Sequence, residues 1–136
     1  PYQIQAAIAA LHAQATRPGD TDWPQIATLY VGLLRWMPTA VVELNAAVAL
    51  AMAEGLDRGL EWIDRLADRE ELAGYYLLPA ARADLLRRAG RWQDAHDAYT
   101  AALALVRNVA ERSYLERRQQ EVREASLAAN APRMLR

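Results

Sequence analysis

Three acidic side chains are the best candidates for catalytic chemistry in this chain. Glu43, Glu54 and Asp84 each lie in a stretch whose apolar residues recur with helical spacing. A pair of carboxylates can act as general acid and base when their environments drive the two pKa values apart. Carboxylates on helices are usually solvated, and no second feature marks any of these three. The sequence therefore predicts that the chain is not an enzyme.

Other kinds of reactive site lack the residues that they need. The chain contains no cysteine and two histidines, His12 and His96, with no HExxH spacing. Thiolate metal sites, disulfides and cysteine nucleophiles are thereby excluded, and a histidine metal site has no further ligands in view. Glycine-rich phosphate loops and nucleophile elbows are absent as well. We expect both histidines to be partly exposed surface residues, and we expect no metal or cofactor.

The charges indicate neither nucleic acid nor membrane as a partner. The net charge is −1, and all sixteen basic residues are arginines. Glutamates interleave with the arginines near the C-terminus, so their fields largely cancel and predict a solvated helix rather than a DNA-binding one. The arginines near the C-terminus are Arg107, Arg112, Arg117, Arg118 and Arg123.

No secretory signal or long uncharged apolar run occurs in the sequence, which predicts a cytoplasmic chain.

Apolar residues with a period of 3.6 predict seven helices, and no stretch alternates like a strand. Thr21 or Asp22 is expected to cap the second helix, which ends before Pro38, and Thr39 to cap the third, which ends at Gly55. The predicted helices are 2–15, a second ending before Pro38, 40–54, 57–67, a fifth entered between Gly74 and Pro79, 92–107 and 111–128. The break at 17–20 contains Pro18 and Gly19.

The first helix starts almost at Pro1 without a cap, which predicts a piece of a longer protein. Residues 130–136 have no pattern and are expected to form a frayed tail. Within the third helix we expect a buried face that is formed by Val41, Leu44, Val48 and Ala51.

A helical pair around the Gly90 turn organises the rest of the chain. After this turn, Ala95, Tyr99 and Ala102 follow the i, i+4, i+7 spacing of one helix face. A small–aromatic–small face after a turn glycine is typical of the tetratricopeptide (TPR) repeat. Equivalent positions recur 36 and then 32 residues earlier, close to the repeat period of about 34. These positions are Gly59, Ile63 and Leu66 in the fourth helix, and Ala27, Val31 and Leu34 in the second.

The predicted fold is therefore all-α: a TPR-like right-handed array of three helix pairs with a C-terminal capping helix, in a single domain over 1–129. In such an array the first helix of each pair lines a concave groove. Asn45, in the middle of an apolar helix, can bind a peptide backbone there or bridge neighbouring helices by hydrogen bonds. The candidate groove residues are Asn45, Arg82, Asp84, Arg87 and Arg88.

The four tryptophans lie near predicted helix ends or turns. We expect them to close the ends of the hairpin cores, and the alternative is that one is an exposed anchor for a partner. They are Trp23, Trp36, Trp62 and Trp92.

Taken in order, five stretches resemble one protein family: PYQIQAAIAALHA, DTDWPQIATLY, PTAVVELNAAVALAMAEG, YYLLPAARADLLRRAGRWQDAHDAY and LVRNVAERSYLERR. The family is a group of bacterial ECF-type sigma factors, and the resemblance is to their TPR-like C-terminal extension. Ala46 stands where the family's motif usually has arginine. The matching motif residues include Leu44, Pro79, Asn108, Glu111 and Arg112, together with Asn45, Arg82 and Asp84.

This resemblance implies a regulatory protein-interaction module within a protein that directs RNA polymerase to promoters. Its implied partners are the upstream sigma domains of the same protein, or RNA polymerase, without direct DNA binding by this chain. The alternative is a small-molecule sensor that holds an effector in the groove around Asn45, Asp84 and Arg87. The sequence leaves the oligomeric state undetermined.

Overall fold

The computed structural model describes residues 2–14 and 18–134, and over these residues the chain is helical without a strand. This confirms the all-α class. The predicted end of the first helix at Ala15 and the start of the break at Arg17 lie outside the described residues. In the described part the α-helices are α1 (Tyr2–Gln14), α2 (Trp23–Leu34), α3 (Ala40–Glu54), α4 (Leu56–Leu66), α5 (Leu77–Arg88), α6 (Trp92–Leu105) and α7 (Val109–Met134).

The chain divides into two compact units, a first unit of residues 1–73 and a second unit of residues 74–136. In the first unit α1 packs on α2, and α3 packs on both α2 and α4. In the second unit α6 packs on both α5 and α7. The predicted single domain over 1–129 stays a prediction.

Local capping sets the ends of several helices where the sequence places them. The Thr39 hydroxyl accepts a hydrogen bond from the Val42 amide at 3.2 Å, and α3 then ends at Glu54 before Gly55. The Asp22 carboxylate accepts one from the Gln25 amide at 3.2 Å, so Asp22 rather than Thr21 caps α2. A side-chain oxygen satisfies an amide that the first helical turn leaves unpaired.

The last helix is longer than the sequence predicts. It begins at Val109 and continues to Met134, so residues 130–134 are helical where a frayed tail was expected. Alanine at 128, 129 and 131 has the highest helix propensity, which favours this extension. The remaining tail residues, 135 and 136, lie outside the described part.

One predicted core position, Val41, is wrong, because it is 41% exposed, whereas Val42 and Leu44 are buried. Val31, which repeat spacing aligns with Tyr99, is 54% exposed. Because α3 packs between two helices, it buries a wide band of mostly small residues, which includes the predicted Leu44 and Ala51. The buried residues of α3 are Ala40, Val42, Leu44, Ala46, Ala47, Ala49 and Ala51.

Two helices of the first unit approach each other closely at Gly59. A Cβ atom built on Gly59 would lie 2.2 Å from the Ala51 Cβ and 2.8 Å from the Ala47 carbonyl oxygen. Glycine thus lets α4 lie directly against the backbone of α3. The predicted inward residues Ile63 and Leu66 are buried beside it.

In the second unit, α5 and α6 are joined by a left-handed Gly90 with φ 75°. The Arg91 amide donates a hydrogen bond to the Leu86 carbonyl, and the Gly90 amide donates one to the Arg87 carbonyl. These two hydrogen bonds form the Schellman pattern of a helix C-terminus. The predicted face of Ala95, Tyr99 and Ala102 is completely buried.

Among the described residues, no helix is long and apolar enough to cross a membrane.

Candidate functional site

Asn45 lies in an open groove of the first unit. The groove is formed by α1, α2 and α3 and has a volume of about 110 Å³. Asn45 is exposed, and no described residue hydrogen-bonds its side chain, so it does not bridge helices. The other residues that line this groove are Gln5, Ile8, Tyr30, Leu33 and Val42.

Asp84 and Arg87, the corresponding candidates in the second unit, bind the core tyrosine. The Tyr99 hydroxyl donates to an Asp84 carboxylate oxygen at 2.5 Å, and the Arg87 Nε donates to the Tyr99 hydroxyl at 3.2 Å. Burial and then the hydrogen bond to Asp84 raise the pKa of Tyr99 well above its ordinary value. These two side-chain hydrogen bonds therefore hold α5 against α6.

Arg82 and Arg88 complete the predicted set on α5. Arg82 is half-buried, whereas Arg88 is exposed near the C-terminus of the helix. Asn45 belongs to the first unit and the four α5 residues to the second.

Each carboxylate that was considered for acid–base chemistry has a basic or hydroxyl partner. Glu43 accepts hydrogen bonds from the Trp62 indole at 3.3 Å and from Arg69 at 2.8 Å, which links α3, α4 and the turn after α4. Glu54 pairs with Arg58 one turn away, and Asp84 is held by Tyr99.

The histidines lie in different units. His12 is exposed, and its ring meets Trp23 edge-on with the centroids 5.3 Å apart. The His96 side chain is 28% exposed, and its Nε2 lies 3.2 Å from an Nη of Arg123. Both fit the predicted partly exposed surface positions.

The tryptophans do not share one role. Trp36, in the turn after α2, is 70% exposed and does not close a core. Trp62 lies in the middle of α4 rather than near its end. Trp23 and Trp92 are half-buried first residues of α2 and α6. Trp36 therefore fits the alternative prediction of an exposed anchor.

The family-motif residues mostly build the fold. Asn108 caps α7 by accepting from the Glu111 amide at 3.1 Å, and Arg112 donates to the Leu103 and Val106 carbonyls at the end of α6. A hydrogen bond to Glu111 raises the pKa of Tyr76 to about 12. Leu44 is buried, and Pro79 lies in the first turn of α5.

The two units have net charges of opposite sign, which nearly cancel in the net charge of −1 for the whole chain. Residues 1–73 contain ten acidic and five basic side chains, whereas residues 74–136 contain seven acidic and eleven basic ones. Counting charge over the whole chain misses this division, which emerges only when the unit boundary is known. The first unit is therefore net negative and the second unit is net positive.

A protein of Rhizobium meliloti (strain 1021) that is described as uncharacterized is 46% identical to the chain over 115 residues. The match covers 85% of this chain and 27% of that protein, so the chain spans about a quarter of the length of its relative. No family model and no solved structure matches the chain. The chain thus has a much longer relative, of which it resembles one part.

Proposed function

We propose that this chain is a regulatory protein-interaction module of an ECF-type sigma factor. It contacts the sigma domains of the same protein, or RNA polymerase, and thereby controls transcription initiation. In this proposal the chain acts in the cytoplasm, has no catalytic activity and does not itself bind DNA.

The ordered set of family motifs supports this assignment. The five stretches that resemble the sigma-factor extension follow one another over most of the chain. The Rhizobium meliloti relative is almost four times as long as the part that the chain matches, which leaves room for further domains in that protein.

The packing of successive helices within each unit supports an interaction role. Each described helix packs on its neighbours in the chain within its unit. Gly59 in α4 and Ala95 in α6 are completely or almost completely buried at equivalent positions, each followed by a buried Ile63 or Tyr99. We assign these hairpins to a right-handed TPR-like array of three pairs with α7 as its capping helix, a scaffold that presents a rigid surface to partners.

Asn45 is the single observation that carries the protein-binding proposal. An amide in a helix interior is locally unfavourable, and here its side chain is exposed in a groove without a partner among the described residues. A side chain with both donor and acceptor groups matches the backbone of a bound peptide.

A small-molecule sensor would need an enclosed pocket with converging polar groups. Apart from tyrosine, no polar or charged residue is buried in the described part of the chain. The Asn45 groove opens to solvent where its lining residues Gln5 and Asn45 are exposed. These features favour a protein partner over an enclosed effector.

Replacing Asn45 by alanine tests the proposal. We expect normal folding and transcription by the full-length protein that is weaker by about fivefold, since one lost hydrogen bond is worth about 1 kcal/mol in binding. Asp84→Ala is unsuitable because it would also remove the acceptor of the hydrogen bond that the Tyr99 hydroxyl donates. Reporter transcription is the measurement, with circular dichroism to verify the fold.

Asn130→Ala is the matched control, because Asn130 is also an exposed helical asparagine but lies on α7. It should leave transcription unchanged. Equal transcription by the Asn45→Ala variant and the wild type would refute a role for this groove.

A further inference from the structure

Two adjoining hollows lie on the second unit, where the start of α6 meets the second half of α7. Their volumes are about 320 and 210 Å³, and both are lined by Trp92 and Val122. Because they share these residues, we treat them as one surface, the Trp92 groove. It is lined chiefly by Arg87, Trp92, His96, Val122, Arg123 and Leu127.

The middle of the Trp92 groove is apolar. Val122 is 1% exposed, and together with the half-buried Trp92 it lines both hollows. Leu127, on the same helix as Val122, is 62% exposed at the edge. An exposed leucine beside a tryptophan is the composition of an anchor site for a partner's apolar side chain.

The charged side chains that line the groove are mainly positive, and Asp97 lies 3.8 Å from the ring of the lining residue His96. Arg123 lines one hollow and Arg87 lines the other. Among the lining residues that the structure describes, Glu121 is the one acidic side chain, and it is paired with Arg118 at 2.9 Å. The unit as a whole has eleven basic and seven acidic side chains, so both the near and the distant charges favour an anion.

We infer that the Trp92 groove binds an acidic amphipathic segment of a protein partner. An apolar side chain of that segment packs on Trp92 and Leu127, while its carboxylates pair with the guanidinium groups of Arg123 and Arg87. Arginine suits this task because its planar fork binds carboxylates in two-point fashion. The inference rests on the proposed interaction function and adds the chemistry of the partner.

A labelled helical peptide with two leucines one turn apart, flanked by glutamates, is the probe, and its glutamine counterpart is the reference. Fluorescence anisotropy with the whole chain should show that the acidic peptide binds at least about tenfold more tightly at low salt, and that this advantage shrinks as salt rises. Equal affinity of the two peptides would overturn the inference.

Charge reversal locates the binding site. Arg123→Glu should weaken binding of the acidic peptide about fivefold or more, whereas Arg117→Glu, an exposed arginine on the same helix outside the groove, should weaken it much less. Equal losses in the two variants would mean that the peptide binds the basic unit without using the groove, and would overturn the inference.

A second pair of variants does not depend on charge. Leu127→Ala should weaken binding, and Leu105→Ala, at a 40% exposed position on α6, should not. If Leu127→Ala binds like the wild type, the apolar part of the inference is wrong.

Capture of the sigma domains separates this inference from the proposed function. If the wild-type chain and Arg123→Glu capture the sigma domains equally and RNA polymerase equally, the acidic partner of the groove is refuted while the proposed function stands. If the wild-type chain captures neither sigma domains nor polymerase, the proposed function is refuted whatever the peptides show.

Discussion

Gly59→Ala should destabilise the first unit by about 2 kcal/mol, although alanine is the better helix former. The new Cβ would fall 2.2 Å from the Ala51 Cβ and 2.8 Å from the Ala47 carbonyl oxygen. Because the carbonyl belongs to the backbone of α3, the two helices must move apart, and overpacking of this kind costs about 1 to 3 kcal/mol or more. This cost exceeds the gain of about 1 kcal/mol in helix propensity. Chemical denaturation measures the difference.

Gly32→Ala is the matched control for this change. Gly32 also lies inside a helix, α2, but a Cβ there would meet nothing within 4 Å. We therefore expect unchanged or higher stability, by up to about 1 kcal/mol. A Gly59→Ala variant as stable as the Gly32→Ala variant would contradict the close packing of α4 on α3.

Tyr99→Ala should be the most destabilising single change in the second unit, by about 3 to 5 kcal/mol, as for other buried aromatic residues. Tyr99 is completely buried and also joins Asp84 to Arg87. Tyr99→Phe keeps the ring and removes the hydroxyl, so a smaller loss of about 1 to 2 kcal/mol is expected. Tyr2→Ala, at an 89% exposed position, should change stability by less than about 0.5 kcal/mol.

The same hydroxyl predicts a loss of stability in alkaline solution. Burial and the bond to Asp84 raise the pKa of Tyr99 in the folded chain above the ordinary value of 10.0. Since the folded state then holds the proton more tightly than the unfolded state, this stabilisation is complete below pH 10 and is lost as the pH rises beyond it. Tyr76, whose pKa is also raised, contributes in the same direction.

Urea unfolding of the wild type and of Tyr99→Phe at increasing pH isolates the contribution of Tyr99. The variant should lose less stability than the wild type as the pH is raised above about 10. Parallel curves for the two proteins would show that the Tyr99 hydroxyl does not hold its proton more tightly in the folded state.

Features that depend on neighbouring residues in the chain could be predicted from the sequence. The cap at Thr39, the stop at Gly55 and the turn at Gly90 follow from side-chain and backbone preferences that act within one turn. The core face of α6 also follows, because a small–aromatic–small spacing places its members on one side of any helix.

Features that depend on which helices meet could not be predicted from spacing. Val31 was aligned with the buried Tyr99 by repeat spacing, but it is 54% exposed, and the buried residues of α2 are Ile26, Ala27 and Leu33. Val41 was placed in the core by helical period, but α3 packs on two sides and buries its alanines instead. Helical period identifies a face without showing how wide a band the neighbours will cover.

The same limit applies to the candidate site. Asp84 and Arg87 have the charge expected of groove residues, but both bind Tyr99 of α6. Predicting that the two helices pair does not show which side chains of α5 face α6. Asn45 could be predicted because an amide among alanines and valines stands out in any arrangement. The Trp92 groove brings together residues from α5, α6 and α7, so no single stretch of sequence contains its pattern.

Binding of the purified chain to the sigma domains of the full-length protein, and separately to core RNA polymerase, tests the central proposal most directly. We expect concentration-dependent, saturable binding to at least one of them, weakened by Asn45→Ala and unaffected by Asn130→Ala. A chain that is folded by circular dichroism yet binds neither would contradict the proposal that it is the regulatory interaction module of a sigma factor.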